Sequence, residues 1–205
     1  ARLQEIGVDV IQFDEPVLTE IVFTEGRPRT FMCASLSQRK DPTEELEFAT
    51  HLIKSVMDGI DREKSIASMH VCRGNWSKDE SILLTGPYTP LLDLFADINA
   101  DLLALEFSTP RAGELKSLLA DDRIKNKIIL GLGVLNPRFD QKEDVDFIYN
   151  RAKEALTYID KENLWLNPDC GFATFSNRPV NEYENIKAKV GSMIEARDRL
   201  RADYE

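Results

Sequence analysis

The sequence predicts an α/β fold with a parallel sheet, either an open doubly wound sheet or part of a (β/α)8 barrel. Two observations predict it. Short, nearly continuous apolar runs alternate with longer amphipathic segments along the chain. Polar residues also cluster where the apolar runs end. Alternating strands and helices imply parallel strands joined by crossover helices. Five strands alone do not close an eight-stranded barrel.

Each of the five predicted strands is a short run of aliphatic or β-branched residues. In chain order the runs are "VDVIQFD", "SIASMHVC", "DLLALEF", "KIILGLGV" and "NLWLNPD". Because these runs are apolar almost throughout instead of alternating, both faces of each strand are expected to be buried.

Amphipathic segments between these runs predict the crossover helices. In order they are "DPTEELEFATHLIKSVMDGI", "YTPLLDLFADIN", "RAGELKSLLAD", "KEDVDFIYNRAKEALTYI" and "VNEYENIKAKVGSMIEARDRLRA". The first is the best marked, since Asp41 suits a helix cap, Pro42 suits the first turn, and Gly59 suits termination.

Two further segments bear on the extent of the domain. "ARLQEIG" reads as the tail of a helix, and "TEIVFTEGRPRTFMCASLSQRKD" reads as a long loop over the strand ends. We therefore expect residues 1–205 to be a single domain that further chain precedes.

Composition excludes several classes of function. With 42% hydrophobic and 30% charged residues the chain is typical of soluble globular proteins. The net charge of −10 and the lack of a basic run argue against nucleic acid. The apolar runs are too short to span a membrane, and no secretory signal is present, so we expect a cytoplasmic protein. Three widely spaced cysteines favour free thiols or metal ligands over a disulfide framework.

The candidate site lies where the predicted strands end. Asp14 and Glu15 end the first strand, and the residues that end the second, third and fifth strands are His70 with Cys72, Glu106, and Asp169 with Cys170. Because the carboxyl ends of parallel strands gather on one face, these side chains are expected to converge.

His70 and Cys72 lie two residues apart on one strand, so their side chains point to the same side. Together with Glu106 and Cys170 they form a donor set that suits zinc better than magnesium or calcium. Simpler interpretations remain for each residue. A buried cysteine is commonly inert, a strand histidine often only satisfies a hydrogen bond, and Glu106 would form an ion pair with Arg111 or Arg73.

In five motifs the chain resembles the C-terminal catalytic domain of cobalamin-independent methionine synthase and its short methionine-synthase-like relatives. The motifs are "IQFDEPVLTE", "HVC", "LEFSTPRAG", "GLGV" and "LWLNPDCGFAT", in the family's order over nearly the whole chain. The resemblance implies a zinc-dependent (β/α)8 barrel that transfers a methyl group to the thiol of homocysteine, giving methionine. It also implies that residues 1–205 are the C-terminal part of this barrel and that the N-terminal strands are missing. Open sheet edges would then be covered in a homo-oligomer or by a complementing N-terminal segment.

By the same resemblance, the zinc ligands are His70, Cys72, Glu106 and Cys170. Asp14 would bind the amino group of homocysteine, and Glu20 would contact the folate methyl donor. An alternative for the first carboxylate is that Asp14 or Glu15 merely caps the following turn. No residue is assigned a role in the chemical step itself.

Two departures from the family leave the methyl donor open. Folate-using members carry a histidine shortly after the "GLGV" strand, where this chain reads "GLGVLNPRFD" with Arg138 in the region. The other histidine, His51, falls in a predicted helix as a surface or groove residue. The segment "RGNWSKDESILLTGPYTP" is longer than in the family and is expected to form a lid or a donor-specific loop.

The donor is therefore expected to be methyltetrahydrofolate or methylcobalamin. A corrinoid-to-thiol methyltransferase with another small thiol acceptor, such as coenzyme M, is an alternative within the same class. A degenerate homologue that binds zinc without catalysis is an alternative from a different class.

Overall fold

The computed structural model describes residues 2–24, 40–125, 127–173 and 181–204. Its five strands form one parallel sheet in the order β1-β2-β3-β4-β5. Their bounds are β1 Val10–Glu15, β2 Ile66–Val71, β3 Leu102–Glu106, β4 Ile129–Leu135 and β5 Leu164–Pro168. Sheet order follows chain order with no reversal, as in a barrel and unlike a doubly wound sheet. The predicted class, five strands of a (β/α)8 barrel, is confirmed.

Helices lie between the strands, as predicted. In the described residues they are α1 Arg2–Glu5, α2 Leu18–Phe23, α3 Pro42–Met57, α4 Leu92–Asp97, α5 Lys116–Leu119, α6 Asp122–Lys125, α7 Val145–Ala155 and α8 Tyr183–Tyr204. Asp41 caps α3 through the backbone N–H groups of Thr43 and Glu44, at 2.9 and 3.4 Å. Asp144 caps α7 in the same way, so that helix begins later than its amphipathic pattern suggests.

Two predicted segments differ from the structure. The stretch from Thr19, taken as a loop, begins inside α2. Six residues are too few to show a helical period, and this helix is held by burial of Leu18, Thr19 and Glu20. Residues 25–39 of that stretch lie outside the described residues. "RAGELKSLLAD" is not one helix, because Gly113 adopts φ +78° and separates a 3-10 turn from α5.

Burial is deepest in the middle of the sheet. Every residue of β3 is buried, and β2 and β4 are buried apart from their first residues. The edge strands β1 and β5 are only partly buried, so the expectation that both faces of every strand are buried is wrong for these two. Each of them pairs with only one strand among the described residues. Beside β5, a groove of about 690 Å³ opens towards α8. Among the residues described, no helix combines the length and apolar character needed to cross a membrane.

Candidate metal centre

Three soft donor groups meet at the carboxyl edge of the sheet. The ligand atoms of His70, Cys72 and Cys170 all lie within 4.8 Å of one another. The two sulfur atoms are 3.9 Å apart, far beyond disulfide bonding. Two thiolates at tetrahedral positions around zinc, each about 2.3 Å from the metal, would be separated by about 3.8 Å. The spacing therefore fits two ligands of one metal ion.

The donors come from different parts of the sheet. His70 lies within β2, Cys72 follows that strand directly, and Cys170 comes two residues after the edge strand β5. The hydroxyl of Thr19 in α2 donates to the carbonyl oxygen of Cys72 at 2.6 Å. The N–H of Gly74 donates to the Cys72 sulfur at 3.3 Å. These bonds hold the Cys72 turn from both sides.

His70 holds Nδ1 against the backbone and leaves Nε2 as the nitrogen available to a metal. Its Nδ1 lies 2.9 Å from the carbonyl oxygen of Ala104, an acceptor that only an N–H on Nδ1 can satisfy. Nε2 is buried and has no hydrogen-bond partner among the described residues. A backbone carbonyl behind the distal nitrogen is the usual support of a metal-bound histidine.

The three groups perturb one another's protonation. Hydrogen bonding from Cys72 lowers the pKa of Cys170 to about 5, and the same contact with Cys170 raises the pKa of Cys72 well above its ordinary value. Burial alone would lower the pKa of His70, but interaction with Cys170 outweighs burial and raises it to about 9. One sulfur therefore holds negative charge and the other resists ionisation. A divalent cation would stabilise both thiolates together.

Glu106 lies outside this group of three. Its Oε1 accepts the backbone N–H of Arg73 at 2.7 Å, and its Oε2 accepts Nη2 of Arg111 at 2.9 Å. The ion pair with Arg111, one of the simpler interpretations, is confirmed. Burial and the nearby Asp169 raise the pKa of Glu106 to about 7, against the opposing charges of Arg138 and Arg111. Each carboxylate oxygen keeps a further lone pair, so these contacts still allow Glu106 to bind a metal. Its assignment as the fourth ligand stays a prediction.

The two carboxylates that end β1 have different surroundings. Glu15 Oε1 accepts the backbone N–H of Val17 at 2.7 Å, so Glu15 is the residue that caps the turn. Asp14 is exposed, pairs in register with His70, and accepts a hydrogen bond from Gln12 at 2.8 Å. Paired residues of neighbouring parallel strands point to the same face, so Asp14 lies on the face that carries the imidazole.

Glu20 and His51 fall in helices. Glu20 is fully buried in α2, one residue after the threonine that contacts Cys72. His51 is exposed on α3, as predicted for a residue outside the site.

Buried arginines form a layer next to the candidate ligands. The sequence pattern did not reveal the arrangement of this layer. Arg73 is fully buried, with its guanidinium carbon 4.0 Å from the ring centroid of Tyr88 and 5.3 Å from that of Phe23. The Tyr88 hydroxyl in turn accepts the backbone N–H of Glu106 at 3.0 Å. Only the position of Arg73 directly after "HVC" could have drawn attention to it.

The long loop between β2 and α4 packs against this layer. Asn75 Nδ2 donates to the carbonyl oxygen of Gly171 at 2.6 Å, next to Cys170. Gly74 adopts φ +106°, and a Cβ there would meet the ring of Trp76 at 2.6 Å. The segment predicted to form a lid or a donor-specific loop therefore lies directly beside Cys72 and Cys170.

Comparison with known proteins gives a family for this arrangement. Residues 1–198 match the family described as "Cobalamin-independent synthase, Catalytic domain". A 5-methyltetrahydropteroyltriglutamate–homocysteine methyltransferase of Bacillus subtilis (strain 168) is 26% identical over 98% of this chain, and the match covers 22% of that protein. An uncharacterised Bacillus subtilis protein, YxjG, is 31% identical over 69% of this chain and 37% of its own length.

A solved structure shares the fold. A B12-independent methionine synthase from Shewanella sp. W3-18-1, in complex with selenomethionine, superposes with a TM-score of 0.70 at 19% identity. The match covers 98% of this chain and 51% of that chain. The chain thus spans about a fifth of the curated methyltransferases that it matches and about half of this structure.

Proposed function

Because the chain belongs to the family of the cobalamin-independent synthase catalytic domain, we propose that it is the zinc-binding part of a methyltransferase that converts homocysteine to methionine. The observation that carries this proposal is the meeting of His70, Cys72 and Cys170 within 4.8 Å at the carboxyl edge of a parallel sheet. A relative named for this reaction aligns with 98% of this chain at 26% identity.

The donor set favours zinc as the metal. Two thiolates and an imidazole are soft or borderline ligands, whereas magnesium and calcium prefer oxygen. We assign Glu106 as the fourth protein ligand, or as the carboxylate that gives way to substrate. Bound zinc would keep the thiol of homocysteine ionised near neutral pH, where a free thiol is mostly protonated.

Substrate binding is assigned to carboxylates near the metal ligands. Asp14 is exposed on the face of the sheet that carries His70, and its carboxylate suits the ammonium group of an amino-acid thiol. This favours homocysteine over coenzyme M, which has no amine. We propose Glu20 as a donor contact because it lies on α2 beside the residue that holds Cys72. Its burial means that α2 would shift to expose it.

A corrinoid methyl donor is the second candidate. Arg138 lies in the region where folate-using members carry a histidine, and it is fully buried. Its Nε donates to Glu80 at 3.0 Å. A guanidinium held in this way does not deliver a proton to a leaving folate nitrogen. Methyl transfer from methylcobalamin requires no such proton, because cobalt leaves with the bonding electrons.

The open edges of the sheet support a larger assembly. Within the described residues, β1 pairs only with β2, and β5 pairs only with β4. We propose that residues 1–205 are the C-terminal part of a (β/α)8 barrel, completed by a complementing N-terminal segment or a second copy.

The proposal is tested on the gene product that contains these residues. Zinc content is measured first, and methylation of homocysteine is then assayed in parallel with methyltetrahydrofolate and methylcobalamin. We expect one zinc ion per chain, activity with at least one donor, and loss of both zinc and activity in Cys170→Ser. For Asp14→Asn we expect unchanged zinc and a KM for homocysteine raised about tenfold or more.

The outcomes separate the alternatives. Zinc binding with no turnover of either donor, and no change in the metal's spectrum when homocysteine is added, would mean a degenerate zinc-binding homologue. Turnover with methylcobalamin alone would select the corrinoid donor. Equal turnover of coenzyme M and homocysteine would remove the role assigned to Asp14.

A further inference from the structure

Arg138 contacts the chain segments that carry three of the predicted metal ligands. It lies after β4, a strand that supplies no predicted ligand. Its side chain has no exposed surface. Nη1 donates to the carbonyl oxygen of Gly74 at 3.4 Å, and Gly74 in turn contacts the Cys72 sulfur. The guanidinium therefore reaches the turn that presents Cys72.

A second guanidinium nitrogen, Nη2, reaches the remaining two segments by ion pairing, and among the described residues it has no hydrogen-bond partner. Nη2 lies 3.8 Å from Oε2 of Glu106 and 3.6 Å from Oδ2 of Asp169, the residue before Cys170. Asp169 is buried, and its Oδ1 accepts the backbone N–H groups of Phe107 and Ser108, each at 3.0 Å. This carboxylate thus joins the end of β5 to the end of β3, and Arg138 lies against it.

Arg138 is itself held in place. Its Nε donates to Glu80 Oε1 at 3.0 Å, and the same oxygen accepts Asn136 Nδ2 at 2.8 Å. Its backbone N–H donates to Asn136 Oδ1 at 3.0 Å. A guanidinium fixed at one end by these contacts can hold the groups at its other end in one arrangement.

We propose that Arg138 is a positioning residue that preassembles the metal ligands by holding the Cys72 turn, Glu106 and the Asp169–Cys170 segment in register. This inference rests on the proposed metal site but not on catalysis. A guanidinium is needed because Nη1 contacts the Cys72 turn while Nη2 lies near Glu106 and Asp169. The single ammonium group of a lysine does not reproduce this arrangement. Outer-shell groups of this kind change metal affinity about 10- to 100-fold when removed.

The test measures zinc affinity by competition with a chromophoric chelator, together with the visible spectrum of the cobalt-substituted chain. Arg138→Met is expected to weaken zinc binding about 10- to 100-fold and to alter the cobalt spectrum. Arg138→Lys is expected to fall between Arg138→Met and wild type. Neither variant removes a ligand, so both are expected to bind one ion at saturation.

Arg62→Met is the matched control. Arg62 also joins several segments, donating to the carbonyl oxygens of Met57 and Ile60 and pairing with Asp101 at 2.9 Å. These contacts lie at the other end of the strands, so its loss is expected to leave zinc affinity within twofold of wild type. If Arg138→Met does not fold, Arg138→Lys is compared with Glu80→Ala, which removes the acceptor of Nε, and weaker zinc binding is expected in both.

Zinc affinity within twofold of wild type in the folded Arg138 variant, or in both fallback variants, would overturn the inference. An equal loss in Arg62→Met would also overturn it, because the effect would then be general loosening of the fold. A wild-type chain that binds zinc but methylates nothing would end the proposed function while leaving this inference intact. A wild-type chain that does not bind zinc would end both.

Discussion

The three central strands and the two edge strands of the sheet differ in how completely their side chains are buried. In β3 every residue is buried, whereas β1 alternates between exposed and half-buried residues and Trp165 of β5 is 40% exposed. The candidate metal centre uses both regions, since His70 lies in a central strand and Cys170 follows an edge strand. The candidate site thus takes one donor from a buried central strand and another from the segment after a half-buried edge strand.

The largest expected effect comes from connecting the two regions through a metal. Zinc at a thousandfold excess over its dissociation constant is expected to raise the free energy of unfolding by about 4 kcal/mol, because it binds only when Cys72 and Cys170 are together. Urea unfolding with zinc and with chelator measures this difference. Cys170→Ser is expected to abolish it, while Cys33→Ser, outside the predicted ligand set, is expected to keep it. Full zinc stabilisation in Cys170→Ser would show that the edge segment is not part of the site.

The next effects are expected for two leucines, one in a central strand of the sheet and one in an edge strand. Leu105 of β3 is fully buried, and Leu105→Ala is expected to lower the free energy of unfolding by about 2 to 5 kcal/mol. Leu166 of β5 is half-buried, so Leu166→Ala is expected to cost about 1 to 2 kcal/mol. Chemical denaturation of both variants measures the difference. Equal losses would mean that β5 is covered in solution, as expected if a further segment or a second copy completes the sheet.

The last comparison is between two glycines, and the smallest expected effect belongs to one of them. A Cβ at Gly133 in β4 would lie 2.4 Å from Oδ1 of Asp169 and 2.6 Å from the carbonyl oxygen of Leu105. Gly133→Ala is therefore expected to destabilise by about 1 to 3 kcal/mol, and to weaken zinc binding because Asp169 precedes Cys170. Gly191 in α8 has open space around its Cβ position, so Gly191→Ala is expected to stabilise by up to about 1 kcal/mol. Thermal unfolding checks both signs, and a neutral Gly133→Ala would show that both Asp169 and the backbone at Leu105 can shift.

Local patterns were sufficient for most of the fold. The apolar runs marked all five strands. Burial on both faces explains this continuous signal for β2, β3 and β4 but not for β1 and β5, which are only partly buried. The cap at Asp41 marked the start of α3, because capping depends on residues only two and three positions away. The short helix α2 was missed, since its six residues are held by packing and carry no period of their own.

The sequence by itself determined the class of the sheet and the residue types from which a metal site can be built, because both depend on spacing along the chain. Only the tertiary structure decided which donors meet: His70, Cys72 and Cys170 converge, while Glu106 is paired with Arg111. It also decided that Arg138 lies buried among carboxylates from three segments. Such contacts join residues dozens of positions apart, and their geometry depends on strand register and loop packing, which no local pattern records.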